Sequence, residues 1–221
     1  MIKITKIREP RELKKYRTQP GAAYIAMDRS VKEAVLNSLL NEQGHLCAYC
    51  MRRIPETRKL PTGIPKITIE HWFPQNPTDG QDLGQGLDYR NMFVVCSGNR
   101  GCGTEKDLTC DAKRKNAALK VNPRDANTLA TIRYGADGTI KSSDPVIDED
   151  LNKRLNLNCQ AISLPETRRR VLNELLFDIK KNHPTGDIRL YCRRKLEQLT
   201  EPSDYKKPYV GILIEWLERH V

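Results

Sequence analysis

The segment HLCAYCMRR sets Cys47 and Cys50 two residues apart, and that spacing restricts the local fold more tightly than anything else in the chain. Two thiols on one tight turn can supply half of a tetrahedral metal site, exchange a disulfide, or pack as small apolar groups. Context separates the three. The chain carries seven cysteines in 221 residues. Its basic N-terminus, MIKITKIREPRELKKYRTQPG, lacks the apolar stretch of a signal peptide. No apolar run approaches the ~20 residues of a membrane helix. A cytoplasmic location away from membranes is therefore expected, where thiols stay reduced and clustered cysteines point to metal. A redox pair would open a helix beside a βαβ pattern, which is missing here. Cys47 and Cys50 are thus expected to hold a structural zinc. Cys96, which ends the apolar run NMFVVC, is well placed as a third ligand; the fourth is Cys102, in SGNRGCG, or Cys110. Cys159 and Cys192 stand alone and read as small buried hydrophobes.

With 38% hydrophobic and 30% charged residues the composition is that of a globular protein. The net charge of +10 favours a polyanionic partner without selecting one. A short helix is expected around PRELKKYR. SVKEAVLNSLLNEQG reads as a strong helix, with Ser30 and Glu33 at capping-box spacing and Gly44 as its stop. KITIEHWF and NMFVVC read as short strands, separated by the polar, glycine-rich loop PQNPTDGQDLGQG. DAKRKNAALK reads as a helix and TIRYGADGTIK as a hairpin. Ser163 and Glu166 open a second capping box, and two further helices follow in DIRLYCRRKLEQL and YVGILIEWLERH. The expected class is α+β in three parts: a leading segment and helix over 1–44, a metal-bearing module over 45–122, and a hairpin with a helical region over 123–221. The last helix is more apolar than one face requires, which fits either partner docking or the core. Arg168–Arg170 and Arg193–Lys195 are candidates for phosphate contact, although charge runs are usually solvated faces.

Glu70 and His71 are adjacent in ITIEHWFPQ. Neighbours on a strand point to opposite faces, so the two share a site only if the strand ends or bulges there. A carboxylate suits a hard divalent cation, and a neutral imidazole can take a proton from water near pH 7.

The order CAYC, IEHWFP, NMFVVC resembles the HNH family of endonucleases, whose ββα-metal finger is clamped in many members by a structural zinc. The resemblance implies His71 as the general base and Asn91 as the brace of the loop between the strands. It implies Glu70 as a ligand of a catalytic Mg²⁺ or Mn²⁺. The last position of the motif falls in TCDAKR, where Asp111 replaces the usual histidine or asparagine as second ligand. That register favours Cys110 over Cys102 as the fourth zinc ligand. MIKITKIREP, CDAKR, IRYGADGTIK and LNKRLNLNCQ extend the likeness to the HNH proteins of Septu anti-phage systems, also found beside some retrons. This likeness implies an effector that cuts nucleic acid, with DNA expected, beside an ABC-type ATPase. A non-catalytic zinc ribbon that binds nucleic acid is the alternative.

Overall fold

The computed structural model describes residues 1–55, 66–76, 85–182 and 187–221. Residues 56–65, the middle of the glycine-rich loop, 77–84, and residues 183–186 lie outside the described residues. Two antiparallel strands, β1 (Ile67–His71) and β2 (Met92–Cys96), form the centre. Their register runs unbroken from Ile67 opposite Cys96 to His71 opposite Met92. All five residues of β2 are buried, which explains why the segment reads as a continuous apolar run rather than an alternating one.

A two-stranded sheet leaves the outer edge of β2 with unpaired backbone groups, and burying them unpaired would be costly. Here other residues stand in for the missing strand. The side chain of Gln43 accepts from Val94 N and donates to Val94 O, both at 2.8 Å, while Ala48 N donates to the same carbonyl at 3.0 Å. Lys6 Nζ donates to Met92 O at 2.7 Å and pairs with Glu42. Gln43 and Glu42 lie at the end of α2 (Arg29–Glu42), whose buried Val31, Val35, Leu39 and Leu40 follow the expected helical interval. The start of α2 departs from expectation. The helix begins at Arg29 with Asp28 as its cap position and has no side-chain cap bond, so Ser30 lies inside the first turn. The preceding α1 (Arg11–Arg17) occupies the expected PRELKKYR segment.

After β2 a glycine-rich turn leads to α3 (Cys110–Arg114), half the length expected for DAKRKNAALK. Lys115 adopts a positive φ of 56°, Arg114 Nε holds Ala117 O at 2.7 Å, and Lys120 N and Val121 N are drawn to the buried carboxylate of Asp150. These tertiary bonds outweigh the helix propensity of the segment. A short α4 (Ala126–Leu129) leads into the hairpin of β3 (Ile132–Tyr134) and β4 (Ile140–Ser142), as its alternation implies. α5 (Pro145–Glu149) passes into a wide π-helical turn, Asp150–Arg154. That turn presents Leu155 O to Cys110 N at 2.8 Å.

Three helices complete the chain: α6 (Leu164–Asn182), α7 (Arg189–Thr200) and α8 (Val210–Glu218). α6 packs its first turn onto the β3–β4 turn so closely that a Cβ on Gly138 would lie 2.0 Å from Pro165 O. Arg168 is buried there, donating to Gly138 O, Leu157 O and Asn158 Oδ1, so it is not a surface phosphate contact. α8 is a core helix, burying Val210, Ile212, Leu213 and Leu217. It sits behind the cysteine turn: Tyr209 N donates to Met51 O at 3.0 Å, and a Cβ on Gly211 would meet Met51 Sδ at 2.8 Å. Among the described residues no helix is long and apolar enough to cross a membrane.

Candidate functional site

Cys47 and Cys50 lie on a turn closed by a bridge between Leu46 and Arg53, with Met51 N donating to Cys47 O at 3.0 Å. Cys96 ends β2 and Cys110 opens α3. The turn between them folds back sharply. Thr109 N donates to Gly98 O at 3.0 Å, and a Cβ on Gly98 would fall 2.1 Å from Thr109 O. Only glycine fits, because φ there is +58° as well. The result is four buried cysteines whose sulfurs all lie within 4.8 Å of one another. The Cys47–Cys110 and Cys96–Cys110 separations are 3.8 Å, and Cys50–Cys96 is 3.7 Å. A tetrahedral zinc with ligands at ~2.3 Å has edges of about 3.8 Å, whereas a disulfide would need about 2.05 Å. The cluster therefore has the dimensions to hold a metal ion such as zinc. Thiols this close cannot all ionise unaided. Hydrogen bonds from Cys110, Cys47 and Cys50 hold Cys96 well below the usual thiol range, while Cys47 and its neighbours drive Cys110 well above it. Cys102 is exposed and outside the cluster. Cys159 and Cys192 are buried elsewhere.

β1 carries the second group of side chains. The strand ends at His71 without a bulge, so Glu70 and His71 leave it on opposite sides. Glu70 turns toward the cysteine turn and α3. Its Oε1 accepts from Tyr49 Oη at 3.0 Å and from Arg114 Nη1. Asp111 lies close enough to act on its charge. Burial, with Asp111 reinforcing it, pushes the Glu70 carboxyl up to about 8 against the pull of Arg114. A buried carboxyl beside a second carboxyl favours its protonated form, and a hard divalent cation would relieve that repulsion. Asp111 Oδ2 also accepts from Arg100 Nη2 at 2.6 Å.

The His71 ring faces the other way, with Nε2 3.0 Å from Gly86 O. A carbonyl only accepts, so Nε2 carries the hydrogen and Nδ1 is the basic nitrogen. Burial lowers the imidazole pKa below its ordinary value. Tyr24 packs edge-on against the ring, with centroids 4.5 Å apart. Asn91 is buried just before β2 and clamps the chain beyond β1. Its Oδ1 accepts from Phe73 N at 2.7 Å, its Nδ2 donates to Phe73 O at 2.9 Å, and its own carbonyl accepts from Trp72 N.

Two participants were not legible beforehand. Arg114 is fully buried and binds Tyr49, Glu70, His71 O, Trp72 O and Ala117 O, tying α3 to the end of β1. In the sequence it lies within DAKRKNAALK, which reads only as a helix. Tyr24 comes from the irregular leading segment; burial first, then Asp111 and Glu70, push its hydroxyl up to about 12, so it shares their surroundings. No protein-family model matches this chain, and no curated protein matches its sequence.

Proposed function

We propose that the chain is a metal-dependent HNH-type endonuclease that hydrolyses phosphodiester bonds of nucleic acid, with DNA as the expected substrate. The observation that carries this reading is the division of labour on one hairpin and helix. The cysteine turn, the end of β2 and the start of α3 gather four thiols, while β1, α3 and the turn before β2 carry Glu70, Asp111, His71 and Asn91, with Glu70 and His71 on opposite sides of the strand. Hydrolysis needs an in-line nucleophile and stabilisation of charge on the leaving oxygen. His71, held as the Nε2–H tautomer by Gly86 O, takes a proton from the attacking water through Nδ1. Its lowered pKa keeps it unprotonated at neutral pH. Glu70 and Asp111 are the residues that would hold Mg²⁺ or Mn²⁺, which would supply the charge stabilisation. Asn91 fixes the path of Trp72 and Phe73 and so the direction of the His71 ring. Zinc held by the thiol cluster would tie the cysteine turn to the end of β2 and the start of α3. On the sequence likeness alone, the enzyme acts as the effector of an anti-phage complex beside an ABC-type ATPase.

The test is nicking of supercoiled plasmid with Mg²⁺ or Mn²⁺ by wild type and His71→Ala. The variant is expected to lose about 10²–10⁴-fold in rate while keeping its zinc and its melting temperature. Equal cutting by both would remove His71 from the mechanism. One observation favours a second reading, a non-catalytic zinc ribbon that binds nucleic acid. Both carboxylates already have cationic partners, Glu70 in Arg114 and Asp111 in Arg100. Salt-dependent binding indifferent to Mg²⁺, with no cleavage alone or beside the ATPase, would select it.

A further inference from the structure

Beside His71 lies a slot of about 320 Å³ that the chemistry above does not use. Its floor follows from strand periodicity. Ile67 and Ile69 leave β1 on the same side as His71, and both line the slot. Leu36 of α2 and Met27 make the apolar wall, and Tyr24 closes the end nearest His71, in contact with the imidazole. The rim is charged. Lys32 Nζ lies over the Tyr24 ring at 5.6 Å, and Arg29 pairs with Glu33 at 3.0 Å. An aromatic ring, aliphatic walls and a cationic rim, one strand repeat from a candidate general base, form the combination by which proteins hold single nucleotides.

We propose that this slot holds one unpaired nucleobase adjacent to the scissile phosphate, so that the substrate is single-stranded or locally unpaired nucleic acid. The proposal rests on the nuclease reading and specifies its substrate. A base inside a duplex is stacked and paired, and its faces cannot reach Tyr24 and Ile69. Once unpaired, it seats between the tyrosine and the isoleucines. Lys32 and Arg29 then face the phosphates on either side. Apolar walls give no hydrogen-bond readout, so the slot favours a base over no base rather than one base over another.

The test is binding without cleavage, by fluorescence anisotropy, using His71→Ala in the absence of added divalent cation. The probes are a short labelled single strand, in DNA and RNA versions, the matching duplexes, and a series carrying one abasic residue moved along the strand. The single strand is expected to bind about tenfold or more tightly than its duplex at matched salt. One abasic position should weaken binding by roughly 5- to 100-fold. Filling the slot with Leu36→Trp, or with Ile69→Phe should the first variant fail to melt cooperatively, should abolish that positional effect. Lys32→Ala should weaken all probes alike and reduce the salt slope. A flat abasic series, a preference for duplex, or a filled slot that leaves the positional effect intact would each overturn the proposal. If plasmid nicking depends on His71 while the series is flat, the slot falls and the nuclease stands. If nothing binds in any form, both fall.

Discussion

The thiol cluster and the carboxylate–imidazole group share the β1–β2 hairpin and the short helix α3, with the cysteine turn added to the first, yet their physical characters are opposite. The first is closed, and all four of its candidate ligand atoms are buried sulfurs. The second is partly open and mixed in charge, with Glu70 against buried Arg114, Asp111 against half-exposed Arg100, and His71 turned toward Gly86 and Tyr24. A closed sulfur site suits a metal that stabilises the fold, because no ligand position remains for a substrate. A site with competing charges and an accessible edge suits chemistry, since its groups are already poised between protonation states.

The comparison breaks most readily at the sulfurs. Cys110→Ser should forfeit most of the ~10–16 kcal/mol that structural zinc sites supply to small folds. It should be purified with little zinc and show no cooperative melt, whereas exposed Cys102→Ser should match wild type in both. Full zinc content in Cys110→Ser would dissolve the distinction. At the second site the largest effect belongs to Arg114. Arg114→Met leaves Glu70 buried beside Asp111 and should cost about 3–5 kcal/mol in urea unfolding. Adding Glu70→Gln should recover much of that loss, and a double variant no better than the single would show that Arg114 acts mainly through its backbone carbonyl bonds.

What the sequence showed of these sites was the part encoded locally. The pair at Cys47 and Cys50, the apolar run ending at Cys96 and the alternation around Gly135 and Gly138 each lead directly to an element that forms. Local pattern failed where long-range bonds decide. Whether Cys102 or Cys110 joins the cluster depends on the turn at Gly98 and on Leu155 O, far along the chain. The helix after Cys110 stops early because Asp150 takes its amides. Ser30 is preceded by a residue that is already helical, so its spacing to Glu33 does not make it the cap. Arg114 and Arg168 lie in basic runs, and nothing in the composition of a run marks which arginine turns inward. Gln43 and Tyr24 gave no signal at all, because their roles exist only once β1 and β2 are in place.

A smaller effect sharpens the functional side. Asn91→Ala strands the amide and carbonyl of Phe73, both partly buried, and should cost about 1–3 kcal/mol in stability. Its effect on nicking should be larger than that stability loss accounts for, because the chain beyond His71 loses its clamp. A rate loss absent at temperatures where the variant is fully folded would make Asn91 structural only.

The smallest expected change in stability decides the most about chemistry. Arg100 is 37% exposed and pairs with Asp111 across 2.6 Å. Removing one partner of such a surface pair costs at most about 1 kcal/mol, so Arg100→Ala should melt as wild type does. Its consequence for catalysis depends on what Asp111 is for. If Asp111 binds the catalytic cation, Arg100 competes for the same oxygen, and its removal should lower the Mg²⁺ concentration that gives half-maximal nicking. If Asp111 serves only to hold Arg100 near the substrate, the same variant should nick more slowly at every Mg²⁺ concentration with no change in the midpoint. A titration of nicking against Mg²⁺ therefore assigns the carboxylate, since the cation competes with the guanidinium only when both need Asp111 Oδ2.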